Sequence, residues 1–470
     1  MLVSELTAHE IARRTRGRVA GDGDITVDTW AFDSRALGPG DCFVALRGDR
    51  DGHDFVGAAF DAGARVAVVA DGFDDRHVVG PGRALVHVDD PLGALQAVAR
   101  SVRLDRPDLH VVAVGGSTGK TSTKDLLATL LASLGCYANA ESYNNEFGLP
   151  ITVCNTPDAA RVLVAEMGER FAGDLAALCE IARPDTGVIT NAGLAHAEYL
   201  GGPRGVIAVL SELVEALPGD GSAVLNADDP ASAQLASVTV ATVVTVGEDA
   251  GADYRIEDVD VDERLRPAFT LRGRRFTVPL HGEHHARNAA MAIAVAHHVF
   301  SLPFEELAVA LAAARPGRWR MELVETARGL TILNDTYNAN PSSMDAALLA
   351  LARFSVPAGA RRIAVLGDMR ELGAHHDDAH REAGERAAAL CVDLVVGVGD
   401  GGAAIAAAAA GTDALAAPDG ETALALVEPL LRVGDVVLVK GSRAVGLERV
   451  VAGLAGDNEK TRQGRGGGPA

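Results

Sequence analysis

Short apolar runs that break at glycine or a polar residue, most of them followed by helical spacing, recur through this chain. The clearest instance spans His110 to Leu134, where HVVAV stops at glycines and the pattern resumes as a helix, predicting strand, tight turn, helix. Further strands are expected at Val162–Ala165, closed by Glu166, at Gly187–Thr190, closed by Asn191, and at Ala223–Leu225, closed by Asn226. Arg275–Leu280 is another, ahead of the alanine-rich helix in GEHHARNAAMAIAVAHHV. Beyond a break at Ala314–Trp319, strands at Thr331–Leu333, Arg362–Leu366, Leu394–Val398 and Val436–Val439 run into NDTYNANP, GDMRELG, GD and KGSR.

The first stretch, from Met1 to about Asp90, is shorter-grained. It predicts a helix near Leu6–Arg14 with a Thr7-to-Glu10 capping box, strands at Asp28–Phe32 and Cys42–Ala45, a helix at Phe55–Asp61 and a strand at Ala64–Ala70. A helix at Leu92–Arg103 then leads into the central segment. The expected fold class is α/β in three domains: a small N-terminal α/β unit (1–90), a central P-loop ATPase-like unit with a parallel sheet (91–315) and a C-terminal Rossmann-like unit (316–456). The tail DNEKTRQGRGGGPA (457–470) is of low complexity and is expected to be disordered.

Composition narrows the class. The length of 470 residues matches three domains at ~150 residues each. Five scattered cysteines without CxxC spacing argue for reduced thiols and against a disulfide or zinc framework. A formal net charge of −21 opposes broad binding to nucleic acid or to an anionic membrane. No apolar run approaches the ~18 residues of a membrane span, and MLVSELTAHEIARR carries acids where a signal peptide has its apolar segment. A cytoplasmic protein without membrane insertion is expected.

The chemistry starts in G-S-T-G-K-T. Gly115, Gly116 and Gly119 let backbone N–H groups approach an anion, and the following helix adds its positive end. Lys120 supplies a mobile charge for terminal phosphates, and Thr121 a hydroxyl suited to Mg²⁺. Val114 stands where the general P-loop pattern has its first glycine, so the cradle is a short one. Gly-Lys-Thr directly after an apolar strand makes nucleotide binding a stronger reading than a plain glycine turn.

In open parallel sheets ligands bind beyond the carboxyl ends of strands. Glu166, closing a strand beside the cradle, is therefore placed to hold Mg²⁺, directly or through water. His196 follows the next strand and is either a second metal ligand or a structural hydrogen bonder. Asn288 opens the alanine-rich helix and either reads a base or shapes the turn. Ser34 with Arg35 has two readings, a diphosphate- or uracil-holding pair and a solvated turn.

Taken in order, GSTGKTS, SYNNEFGLP, VAEMG, NADDP, GEHHARNA, RWRME, NDTYNANPSSM and KGSRAVGLE resemble the Mur ligases from about Phe32 to Val451. NDTYNANP and GDMRELG bring the likeness nearest to the member that adds D-alanyl-D-alanine to UDP-N-acetylmuramoyl-tripeptide. The resemblance implies a UDP-sugar-binding first domain, a central ATPase and a third domain that closes over the nucleotide and brings the dipeptide. It implies ATP and Mg²⁺ as cofactors and an acyl phosphate intermediate in peptidoglycan precursor synthesis; a monomer is expected.

Carried over by position, Gly116, Ser117, Thr118, Gly119, Lys120, Thr121 and Ser122 would cradle the phosphates, Lys120 reaching the last two. Thr121 with Glu166 would hold one metal and His196 a second; Lys120, Glu166 and His196 form the catalytic set. Asn288, Arg320 and Asp335 would contact the nucleotide, while Ser34, Arg35 and Asn145 would face the UDP-sugar. Tyr337, Asn338 and Asn340 would serve the nucleotide and acceptor end.

One position departs from the family. An AKGE-like word, with a lysine beside the second metal, corresponds here to Val209-Leu210-Ser211-Glu212, and Leu210 neither binds metal nor carries a carbamate. That departure leaves open an amide ligase with another donor or acceptor, and a nucleotide-binding regulatory protein with weakened catalysis.

Overall fold

The computed structural model describes residues 6–74, 79–139, 143–193 and 200–456. Among them three sheets form, of five, nine and six strands. The tail expected at 457–470 lies outside the described residues.

The first sheet runs Arg18–Gly21, Ala84–Val88, Val66–Ala70, Cys42–Val44, Trp30–Ala31, parallel except for its first pair. The leading helix starts at Ala8 because the Thr7 hydroxyl caps it, accepting from the Glu10 N–H at 3.1 Å. The Glu10 carboxylate turns instead to Arg13 and Arg14, whose guanidinium groups, Arg13 first, hold it down to about 2. Arg14 reaches on to Asp105 at 2.8 Å and Ser101 at 2.7 Å, both at the end of the helix Pro91–Leu104. That helix begins where Asp90 accepts from Leu92 and Gly93 N–H groups and Pro91 takes the first turn, whose N–H is unneeded. One continuous apolar core joins the first unit to the second through it. The edge strand is tied across as well: Asn155 accepts from Trp30 N at 2.7 Å and donates to Trp30 O at 2.9 Å.

The second sheet places His110–Gly115 between Val162–Glu166 and Thr186–Ile189. Cys136–Ala138 lies beyond the former, and Ser222–Asn226 and Thr242–Gly247 beyond the latter, all parallel. His110–Gly115 is thus the switch point, and the loop after Gly115 opens at the crevice where ligands of such sheets bind. The sheet continues through Tyr254–Val261 into an antiparallel extension, Pro267–Leu271 and Arg274–Thr277. The strand expected at Arg275–Leu280 is this last one, ending early at Thr277. The helix His284–His298 is apolar nearly all round because it is buried nearly all round, its alanines packing closely on Lys120–Leu130.

The third sheet orders Glu322–Glu325, Thr331–Asp335, Val436–Lys440, Arg362–Gly367, Leu394–Val398 and Asp413–Ala417, antiparallel only at its first pair. Every position of Val436–Lys440 is buried, Lys440 included. The molecule is an α/β protein of three units, each built on a mainly parallel sheet, and no described helix is long and apolar enough to cross a membrane.

Candidate active site

The glycine loop is held open by its conformation and by the neighbouring strand end. Gly116 has φ +125° and Gly119 φ +81°, and a Cβ on Gly119 would lie 2.7 Å from Asn288 Oδ1. Asn191 straps the loop, its side-chain oxygen accepting from Thr118 N at 3.2 Å and its amide donating to Thr118 Oγ1 at 2.7 Å. Thr190 donates to Thr118 O at 2.6 Å, and Asn226 donates to Thr190 O at 3.0 Å. Two of the polar strand ends therefore brace the cradle through bonds to it and to each other.

Glu166 is 3% exposed at the end of its strand. The Thr121 hydroxyl donates to Glu166 Oε2 at 2.6 Å, and Asn144 donates to Oε1 at 2.8 Å. Asn139, itself buried, fixes the backbone there by accepting from Glu166 N at 2.9 Å. The Lys120 ammonium folds back onto the Gly116 carbonyl and lies 3.5 Å from both carboxylate oxygens of Glu169. From the third unit, Arg320 donates to Thr121 Oγ1 at 2.7 Å while its guanidinium sits 3.9 Å over the Tyr337 ring.

Glu166, Thr121, Asn144, Lys120, Glu169, Arg320 and Tyr337 line one cavity of about 970 Å³ between the second and third units. Of the residues expected from sequence, Ser117–Ser122, Asn145, Glu166, Asn288, Arg320, Asp335, Tyr337, Asn338 and Asn340 line it. Gly116 lies behind it, offering its carbonyl to Lys120. His196 lies outside the described residues. Ser34 and Arg35 do not line the cavity, and Arg35 is paired with Asp33 at 2.6 Å, which holds that carboxyl down to about 2. Their word still abuts the site, since the Phe32 and Tyr143 rings meet at 5.6 Å, one residue before Asn144.

Several expected contact residues are also committed locally. Asn145 Oδ1 accepts from Gly148 N at 3.0 Å, starting the helix Gly148–Cys154. Asn340 caps Pro341–Arg353 in a reciprocal box with Ser343. Asp335 takes the Lys440 ammonium at 2.6 Å, and Lys440 also donates to Asn338 O at 2.8 Å.

Lys440 and Glu169 were not singled out from sequence. Lys440 had a signal, a lone charge ending the apolar run VVLV, but its pairing with Asp335, 105 residues away, did not. His285 also escaped notice; it lines the cavity, its Nδ1 has no hydrogen-bond partner, and burial pushes its pKa well below the usual histidine range. Leu210 is fully buried in the helix Pro203–Glu215, within the same core cluster as Leu213 and Ile189 beneath Gly115.

Comparison with known proteins agrees with this geometry. Residues 114–296 match the Mur ligase middle domain and 319–443 the Mur ligase glutamate ligase domain. The UDP-N-acetylmuramoyl-tripeptide--D-alanyl-D-alanine ligase of Mycobacterium tuberculosis is 40% identical over 97% of this chain and 98% of its own. The enzyme of that name from Bacillus subtilis is 34% identical over 95% and 98%. Among solved structures, MurF from Acinetobacter baumannii superposes with a TM-score of 0.84 at 27% identity, covering 96% of this chain and 98% of that one. MurF from Thermotoga maritima in complex with ADP gives 0.77 at 28%, covering 93% and 99%. With two matching domain models, end-to-end relatives and a strand-end cavity built around Lys120, Thr121 and Glu166, this chain belongs to the Mur ligase family of enzymes.

Proposed function

We propose that this chain joins D-alanyl-D-alanine to UDP-N-acetylmuramoyl-tripeptide, cleaving ATP to ADP and phosphate, in peptidoglycan precursor synthesis. The observation that carries the reading is the full-length match to ligases of that name, which spans the units supplying Thr121 and Arg320 to one site.

In this reading a carboxylate oxygen of the tripeptide attacks the γ-phosphorus, ADP leaves, and an acyl phosphate remains. The dipeptide amine then attacks the acyl carbon, loses a proton, and expels phosphate as the amide forms. Such chemistry needs positioning and charge neutralisation more than covalent help. The loop N–H groups and Lys120 bind the phosphates, Arg320 brings a second positive charge to the Thr121 hydroxyl, and Asn288 packs against Gly119. Asn145, Ser34 and Arg35 receive the UDP-sugar, while Tyr337, Asn338, Asn340 and Asp335 border the nucleotide and acceptor end.

The donors present fit a hard cation. Thr121 and Glu166 offer only oxygen, 2.6 Å apart, with the second Glu166 oxygen steadied by Asn144. They would hold Mg²⁺, and His196 a second ion. Among the described residues no three His, Cys, Asp or Glu cluster as a metal site, and further ligand positions would fall to phosphate oxygens and water. Bound Mg²⁺ reduces the repulsion between an anionic nucleophile and anionic ATP.

The domain boundaries we place near residues 90 and 315, and the chain is assigned to the cytoplasm as a monomer. The test is mass spectrometry of a reaction containing UDP-N-acetylmuramoyl-tripeptide, ATP, Mg²⁺ and D-alanyl-D-alanine. A product heavier by the dipeptide less water supports the reading. Phosphate release only with a different amine would replace the acceptor, and no turnover with any substrate set would overturn ligation.

A further inference from the structure

We propose that Arg170 and Glu146 read an amino-acid-type group, an ammonium and a carboxylate on one carbon, at the far end of the third residue of the substrate's tripeptide. The inference rests on the ligase reading and deepens it by naming the class of that residue.

Most charges of the cavity are already spent within the protein. Of its five lysines and arginines, Lys120 lies against the Gly116 carbonyl and Glu169, Lys440 pairs with Asp335, Arg287 with Asp228, and Arg320 donates to Thr121 Oγ1. The acids are committed in the same way: Glu166 to Thr121 and Asn144, Asp229 to the Ala192 and Ala231 N–H groups, and Asp174 to the Arg170 and Phe171 N–H groups. Among the described lining residues this leaves one guanidinium and one carboxylate without a side-chain partner, Arg170 and Glu146, both exposed to the cavity.

The two stand on segments fixed to each other. Gly168 N donates to Asn144 O at 2.8 Å, and Arg170 and Glu146 are each two residues beyond that bond. Neither Cα is therefore more than ~8 Å from the Cα of its bonded residue. Asp174 accepts from Arg170 N and Phe171 N, both at 2.8 Å, which holds one turn, and Gln96 donates to Glu146 O at 3.2 Å, which ties the other to the helix Pro91–Leu104. Asn144, at the base of this frame, also donates to Glu166 Oε1 at 2.8 Å, so the unmatched charges flank the carboxylate beside the phosphate loop.

A tripeptide whose UDP-sugar is held near Asn145 passes this wall to bring its reacting carboxylate to the γ-phosphate. A third residue whose side chain ends in both charges satisfies Arg170 and Glu146 together. One that ends in an ammonium alone satisfies only Glu146. D-alanyl-D-alanine carries both charges too, but its amine must shed a proton to attack, and a carboxylate beside it would oppose that loss.

The experiment is initial-rate kinetics of the full chain with ATP, Mg²⁺, D-alanyl-D-alanine and two UDP-N-acetylmuramoyl-tripeptides, one ending in 2,6-diaminopimelate and one in lysine. Wild type is expected to show a KM about three- to tenfold lower for the diaminopimelate substrate, the size of an ion pair partly open to water. Arg170→Ala should erase that difference by raising the diaminopimelate KM, and Arg170→Lys, which keeps the charge, should retain most of it. Glu146→Gln should raise the KM for both tripeptides, since both carry the ammonium. Absence of a preference in wild type would overturn the proposal, as would an equal loss for both tripeptides in Arg170→Ala. A rise confined to the KM for the dipeptide would also overturn it, by giving Arg170 to the acceptor. If wild type extends neither tripeptide, the ligase reading falls and takes this inference with it.

Discussion

Arg320 and Thr121 are 199 positions apart in the chain, yet the Arg320 guanidinium donates to the Thr121 hydroxyl at 2.7 Å. The backbone around Arg320 is bent to achieve this, with Trp319 at φ +60° and Met321 at φ +49°, a region disfavoured for residues with a side chain. The Trp319 ring carries the guanidinium groups of Arg318 and Arg443 over it, at 4.2 and 4.1 Å. The third unit thereby contributes directly to the phosphate loop of the second.

Replacing Arg320 should consequently act on the chemical step. Arg320→Ala is expected to lower kcat about 10²- to 10³-fold, as for other preorganised charge stabilisers, and Lys120→Ala at least as much. Arg320→Lys should recover little, because an ammonium cannot both cover the Tyr337 face and reach the hydroxyl. ATP-dependent phosphate release measures all three; wild-type kcat in Arg320→Ala would refute its role.

Arg35 leads to a separable effect. It is spent on Asp33 at 2.6 Å and is largely exposed, so a phosphate must take it from that carboxylate. Loss of a charge-assisted hydrogen bond to phosphate makes a rise of about tenfold in the KM for the UDP-sugar peptide the expected result of Arg35→Ala. The KM for ATP should stay put. Initial-rate kinetics with each substrate varied separates the two, and an equal rise in both would show a general disturbance.

What could be read in advance followed from how local the cause was. The strand and helix around the cradle, the helix start capped by Thr7 and the polar strand ends depend on neighbours in sequence, and the words quoted from this chain marked them. The Tyr254–Val261 and Pro267–Leu271 pair was not named, although its half-exposed alternation is a strand pattern. The partners of Lys440, Arg320 and Glu169 were illegible because they come from distant segments brought together by folding. Leu210 was marked as a departure, but its surroundings were visible only in the fold.

Those surroundings define a prediction for Leu210. Its side chain is fully buried with Leu213 beneath Gly115 and is not among the residues that line the cavity. Leu210→Ala should therefore cost about 2–5 kcal/mol of stability through lost burial and the hole left behind. The Mg²⁺ enhancement of nucleotide binding should be retained. Urea unfolding reads the first and calorimetry the second; a shift in Mg²⁺ dependence without loss of stability would place Leu210 in the metal's environment after all.

The third unit carries a pH dependence through His380. This ring is fully buried; Nε2 accepts from the Met369 N–H at 2.8 Å, so the proton is on Nδ1, which donates to the His376 carbonyl at 2.6 Å. A second proton would face the Met369 N–H, and burial pushes the pKa below the usual histidine value. The unfolded chain takes that proton near pH 6.5 and the folded chain does not, so between the two pKa values the unfolded state binds more protons. Stability must then fall as pH falls through this window, by up to about 1.4 kcal/mol per pH unit for one such group. The loop at stake is shared with the KGSR word, since Ser442 N donates to Asp368 O at 3.0 Å and Arg370 N to Ser442 Oγ at 3.0 Å. Denaturant midpoints measured from pH 7.5 down to 5 should decline more steeply for wild type than for His380→Gln. His285 titrates in both proteins, so the difference in slope isolates His380, and parallel curves would exclude it as the responsible group.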